Sequence, residues 1–217
     1  MEHEVRFYYS KEEYEKIINL LKERPELHNN LRLYEQTIQY NHSDDRYDFY
    51  SKSVDGRFRL RLSRNELGSK CKLSWKQRTQ DTTKDEINVE IEKEVRINPD
   101  DIDSFIYIIE NIMHFKVVEG YERYRTIFEN GDIEIAVDEY PFGLCIEIEN
   151  KTIDKDPEEV IKYWTNLIGL DIKNAYRLSW DDKYAELCHE QGIDIYQDVT
   201  FDKPMPQVSD KFPKDNN

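Results

Sequence analysis

The chain has no apolar run approaching transmembrane length, and its opening, MEHEVRFYYS, lacks the basic stretch and apolar core of a secretion signal. Both absences predict a cytoplasmic protein with no membrane partner. Cysteine is scarce: Cys71, Cys145 and Cys188 stand alone without a CxxC pair, which argues against a disulfide framework and against a zinc site. The five histidines, His3, His28, His42, His114 and His189, are scattered without metal-ligand spacing. Neither GxSxG nor the phosphate-loop pattern GxxxxGKS/T occurs, so no covalent nucleophile is visible. Positive charge is also in deficit, with 31 Lys and Arg against 46 Asp and Glu, a formal net charge of -15. That balance disfavours a passive electrostatic grip on nucleic acid or anionic lipid, so any bound anion needs a local basic cluster.

What is present is strand-forming and polar. Of the 217 residues, 38% are hydrophobic and 12% aromatic, including 15 tyrosines, which suits a β-rich chain of one domain. Four segments carry helical periodicity. Ser10 and Glu13 have capping-box spacing ahead of Tyr14, Ile17, Ile18 and Leu21, predicting a helix over 11–24 that ends before Pro25. Asn98-Pro99 opens a second, with Ile102, Phe105, Ile106 and Ile109 as its stripe. Asp156 opens a third with Val160, Trp164 and Leu167 inward, and a fourth runs from Ser179 to about Gln191. Residues 1–193 read as the domain. Residues 194–217, with Pro204, Pro206 and Pro213 among polar residues, read as a loosely docked tail.

Elsewhere the period is two. Arg57, Arg59 and Arg61 alternate with Phe58, Leu60 and Leu62, while Lys70, Lys72, Lys76 and Arg78 alternate with Cys71, Leu73 and Trp75. Glu90, Glu92 and Glu94 oppose Val89, Ile91 and Val95, and Arg123 and Arg125 oppose Tyr124 and Phe128. Glu134 and Asp138 oppose Ile133, Ile135 and Val137, and Glu147 and Glu149 oppose Ile146 and Ile148. At the start, Glu2, Glu4 and Arg6 share one face, with Val5 and Phe7 on the other. Any one such strand reads as a half-solvated sheet. As a set, the charges are sorted by strand, and like charges in one row repel unless something rewards them. Four amphipathic helices also need an apolar sheet surface, and only the uncharged faces provide one.

These patterns predict an α+β fold: an eight-stranded antiparallel β-barrel, with RYDFY (46–50) counted as a strand, a charged lumen and helices packed outside. Buried Arg and Lys then need an anionic guest, and the acidic rows need a cation. A phosphate chain carrying hard divalent ions meets both needs.

The same residues resemble the CYTH domain, the triphosphate tunnel metalloenzyme superfamily of class IV adenylyl cyclases, thiamine triphosphatases and inorganic triphosphatases. EHEVRF is similar to its ExExK signature, and RFRLRL, LSWKQR, VEIEKEV, YERYRTIF and IEIAVDEYPFGLCIEIEN follow in order over about residues 1–190. Arg6 departs from the signature Lys, and Cys145 stands where an aromatic is more common. The resemblance implies Mg2+ or Mn2+ held by Glu2, Glu4, Glu147 and Glu149, with Asp138 and Glu134 beside them. It implies phosphate contacts from Arg6, Arg59, Arg61, Lys76, Arg123 and Arg125, and a catalytic Lys–Tyr pair of Lys76 with Tyr47 or Tyr50. Glu90 and Glu92 match an acidic pair that either binds metal or pairs with arginine. The implied activity is hydrolysis of a small triphosphate, inorganic or organic. The alternatives are a class IV adenylyl cyclase forming cyclic AMP and pyrophosphate, or a non-catalytic phosphate-chain binder. The implied partner is a small triphosphate rather than nucleic acid, and the chain is a monomer or homodimer.

Overall fold

A computed structural model describes residues 1–29, 31–51, 53–79 and 87–213. In chain order the strands are β1 (Glu2–Tyr9), β2 (His28–Asn29), β3 (Leu33–His42), β4 (Gly56–Asn65), β5 (Gly68–Arg78), β6 (Asn88–Ile97), β7 (Phe115–Glu129), β8 (Ile133–Tyr140), β9 (Gly143–Asn150) and β10 (Asp198–Val199). The α-helices are α1 (Tyr14–Lys22), α2 (Ile102–Tyr107), α3 (Pro157–Leu167) and α4 (Trp180–Gln191). Eight strands follow the order β7-β3-β4-β5-β6-β1-β9-β8, and β8 pairs back onto β7, so the sheet closes into an antiparallel barrel. The two-residue strands β2 and β10 are appended to β7.

The expected inversion holds. Val5, Phe7, Ile133, Ile135, Val137, Ile146 and Ile148 point outward and are buried beneath Ile17, Ile18 and Leu21 of α1 and Val160, Ile161 and Trp164 of α3. Each such aliphatic contributes about 1.5–3 kcal/mol by leaving water, so the stabilising core lies outside the barrel and the lumen is left for polar work. Two smaller clusters complete the packing: α2 covers Leu60 and Cys71 on the outer face, and α4 with the C-terminal segment packs against Tyr8, Tyr140 and Phe142 beside the lumen.

Two expectations are corrected. RYDFY is not a barrel strand: the Asp44 carboxylate accepts from Arg46 N at 3.0 Å and folds Asp45–Tyr47 into a 3-10 turn. The eighth strand is β3, whose inward residues Glu35, Thr37, Gln39 and Asn41 carry one charge among four. The C-terminal segment is not loosely docked over its described part. β10 pairs with β7, Met205, Val208 and Phe212 are buried, and Val208 N donates to Phe142 O at 2.8 Å. Asp210 O accepts from Ser10 N at 2.7 Å, which takes the donor that Glu13 would bond in a capping box. Residues 214–217 lie outside the described set.

Candidate active site

Period-two alternation delivers the charged rows to one interior. Because β4, β5 and β7 run antiparallel to their neighbours, Arg57, Arg59 and Arg61 face the same space as Lys76, Arg123 and Arg125. Across from them stand Glu2, Arg6, Glu92, Glu134, Glu147 and Glu149, enclosing about 150 Å³. Trp180 of α4 lines the same space, its ring 4.4 Å from that of Tyr121 and stacked at 8° on Tyr140.

Three groupings organise the charges. In the first, Asp138 is fully buried and clamped by Arg125, with Nε to Oδ1 and Nη2 to Oδ2 both at 2.7 Å, and by Arg123 Nη1 at 2.7 Å. Arg123 Nε also donates to Glu35 at 2.7 Å, and Arg125 Nη2 to Glu147 at 3.0 Å. In the second, Lys76 Nζ lies 2.7 Å from Glu2, 3.1 Å from Glu4 and 3.2 Å from Glu90. Glu90 takes Arg57 Nη2 at 2.7 Å, while Arg6 pairs with Glu4 and sits 3.4 Å from Glu147. Glu90 therefore already serves as an arginine partner, one of the two roles open to it from sequence.

The third grouping is the looser middle of the β4 row. Arg61 donates to Thr37 Oγ1 at 3.1 Å and Tyr121 OH at 2.9 Å. Among the described residues, Arg59 has only Glu92 at 3.6 Å as an ion partner, and its Nε makes no hydrogen bond. Burial and the adjacent Arg61 pull the Arg59 guanidinium below its ordinary pKa. A buried guanidinium so poorly compensated is chemically suited to an anion.

The acidic end is crowded in the opposite sense. Burial and the Glu2 carboxylate push Glu149 up to about 9, although Lys151 Nζ lies 2.5 Å away. Burial, with Glu2 nearby, pushes Glu92 up to about 7. Glu92 and Glu149 thus tend to retain protons, whereas Lys76 and Arg57 hold Glu2 and Glu90 ionised against burial, and one ligand atom each from Glu2, Glu4 and Glu90 lies within 4.8 Å of the others. The all-oxygen donor set suits a hard divalent ion. Glu134 lies beside this end, 3.6 Å from Lys151.

The expected tyrosines fall elsewhere. Tyr47 is 61% exposed and packs on His42, and Tyr50 lines a separate pocket of about 340 Å³ with Arg57, Arg78 and Asp181. The tyrosines that line the lumen are Tyr8, Tyr121 and Tyr140. A sequence signal for them existed: Tyr121 shares strand parity with Arg123 and Arg125, Tyr140 with Asp138, and Tyr8 with Arg6. Arg61, Arg123 and Arg59 outweigh burial and hold the Tyr121 phenol below its usual range.

No protein-family model matches the chain, and no curated relative matches it. Solved structures do. The PH1819 protein of Pyrococcus horikoshii is 25% identical at a TM-score of 0.66, over 88% of this chain and 99% of its own. A proposed adenylate cyclase of Vibrio parahaemolyticus is 18% identical at 0.62, over 82% and 95%. HpAC1 of Hippeastrum, a proposed adenylyl cyclase described as revealing a dominant triphosphatase activity, is 18% identical at 0.56, over 90% and 98%. With its closed eight-stranded barrel, outer helices and charge-lined interior, the chain shares the fold of these solved structures.

Proposed function

We propose that the chain is a divalent-cation-dependent enzyme that hydrolyses a small triphosphate, inorganic or organic, inside the lumen. The observation that carries this reading is Arg59, a buried cation with a single distant ion partner among the described residues, set between Arg57 and Arg61 and facing a carboxylate-rich wall. Arg59 and Arg61 would hold successive phosphates, each guanidinium able to take two oxygens at once, and Arg123 and Arg125 from β7, whose forks Asp138, Glu35 and Glu147 already engage, would add positive charge beside them. Arg6 and Lys76 join them from β1 and β5. Mg2+ or Mn2+ would be held by Glu2 and Glu4, with Glu90, Glu147 and Glu149 beside them, and when bound would neutralise phosphate charge and make water more acidic. Glu92, pushed up to about 7 and adjacent to Arg59, is placed to take a proton from an attacking water at neutral pH. Asp138, clamped by two arginines, serves instead to orient them. Holding the chain in line can supply roughly 7–11 kcal/mol of barrier reduction, so no covalent intermediate is needed.

The cyclase reading has one observation of its own. The pocket beside Tyr50, Leu178 and Asp181 shares Arg57 with the lumen, offering a place for a nucleoside next to the phosphate row. Incubation with tripolyphosphate or ATP and Mg2+ or Mn2+ separates the readings. Release of phosphate is the expected result; cyclic AMP with pyrophosphate would replace it by the cyclase, and binding without turnover by the non-catalytic binder. Arg59→Ala is expected to raise KM for tripolyphosphate about 10- to 100-fold, the loss of one charged contact of about 1.5–3 kcal/mol. An unchanged KM in steady-state phosphate release would move the anion site off β4.

A further inference from the structure

The seat of Lys76 has the form of a cation site occupied by the protein itself. Its Nζ stands among Glu2, Glu4 and Glu90 at 2.7, 3.1 and 3.2 Å, and these carboxylates converge closely enough to share one ion. The ammonium fills the place imperfectly. Glu90 is fully buried, and of the three oxygens around the ammonium only Glu4 Oε2, at 3.1 Å, takes a well-directed hydrogen bond from it; Glu2 Oε2 and Glu90 Oε2 are ion-paired with it off the hydrogen-bond direction.

Charge forbids a second cation there. The three carboxylates already face Lys76, Arg6, Arg57 and Arg78. A divalent ion added to that set would leave a large uncompensated positive charge out of water, so one of the four must withdraw. Arg6 is also held by Glu147 and by Leu178 O, Arg57 is planar and bonded at 2.7 Å, and Arg78 already stands back, 3.4 Å from the Glu90 oxygen that Arg57 takes and 3.6 Å from Asp55. Lys76 is the mobile member, with a four-carbon stem and a point charge that needs no fixed fork. It also has somewhere to go: Glu92 is its cross-strand partner on β6, on the same lumen face and next to Arg59.

We propose that Lys76 and a divalent cation are alternative occupants of the Glu2–Glu4–Glu90 pocket, and that the cation's arrival sends the ammonium toward Glu92 and the Arg59 row. Only the phosphate chain that receives the ammonium there rests on the triphosphatase reading; the exchange itself does not. Metal alone then binds weakly, because it must evict a paired ammonium. Metal and phosphate chain bind cooperatively, each favouring the displaced lysine, and by linkage each tightens the other equally.

Mn2+ alone is the probe. Free Mn2+, followed by electron paramagnetic resonance without phosphate, is expected to show the tightest site of Lys76→Met binding at least tenfold more strongly than that of the wild type. In the wild type, acetic anhydride labelling read by peptide mass spectrometry should find Lys76 protected without metal and severalfold more reactive at Mn2+ saturation. Equal Mn2+ affinity in the two proteins, or Lys76 still protected at saturation, overturns the proposal. If circular dichroism shows Lys76→Met unfolded, the wild-type labelling decides alone. An affinity gain and exposed Lys76, with no triphosphate bound or turned over, would uphold the exchange while removing the triphosphatase reading.

Discussion

Glu4→Gln is expected to keep tripolyphosphate in the lumen while lowering turnover by at least about a hundredfold. Glu4 is fully buried on β1 and contacts both Arg6 and Lys76. Glutamine keeps the shape and one acceptor oxygen but removes a negative charge, so the lumen becomes more positive and phosphate binding is held or strengthened. Loss of a carboxylate from the cation pocket removes charge neutralisation at the reacting phosphorus, and even partners one shell out commonly cost 10- to 100-fold. The diagnostic is the split: kcat falls while KM stays level or drops. If KM rises and kcat is preserved, Glu4 belongs to substrate placement and the cation lies elsewhere.

Arg123→Met is expected to act on the fold. Arg123 is buried, with Glu35 and Asp138 both at 2.7 Å and Tyr140 OH at 3.1 Å. Removing it leaves buried carboxylates short of a partner, a loss of about 3–5 kcal/mol, readable as a lower urea midpoint. Burial opposes ionisation of Glu35, yet Arg123 with Arg61 holds its carboxyl well below the usual range. A depressed folded-state value contributes its full stability above the unfolded value near pH 4.3 and loses it as pH falls below that. The gap between wild type and variant should therefore be widest near neutrality and narrow below about pH 4. A gap that does not depend on pH would mean the arginine acts through packing alone.

How much of this was legible depended on whether a strand declared its inner face by charge. Arg57, Arg59 and Arg61, or Glu147 and Glu149, alternate with aliphatics so regularly that face and role could be read together. β3 gave no such signal, because its inner row of Glu35, Thr37, Gln39 and Asn41 is mostly neutral and its outer row mixes Tyr34 and Gln36 with Ile38 and Tyr40. RYDFY drew the assignment by its aromatics, and an Asp44 cap decided otherwise. The prolines of the C-terminal segment suggested looseness, whereas its spaced apolar residues, Met205, Val208 and Phe212, anchor it. Pairings such as Lys76 with Glu2 and Glu4 follow from β1 lying beside β6, a long-range neighbour relation that has no local signature.

Closure also imposes a schedule on biosynthesis. β1 sits between β6 and β9, with Arg6 in register with Glu147 and Glu4 with Glu149, so the first strand made waits for nearly the last before both its edges are occupied. Such long-range pairing slows folding and leaves the nascent segment open to stray association. Its alternating carboxylates protect it meanwhile, since charges on one face of a lone strand oppose stacking with another. The interior side chains of β1 thus have an earlier duty on the ribosome, as solubilising groups of a strand not yet enclosed.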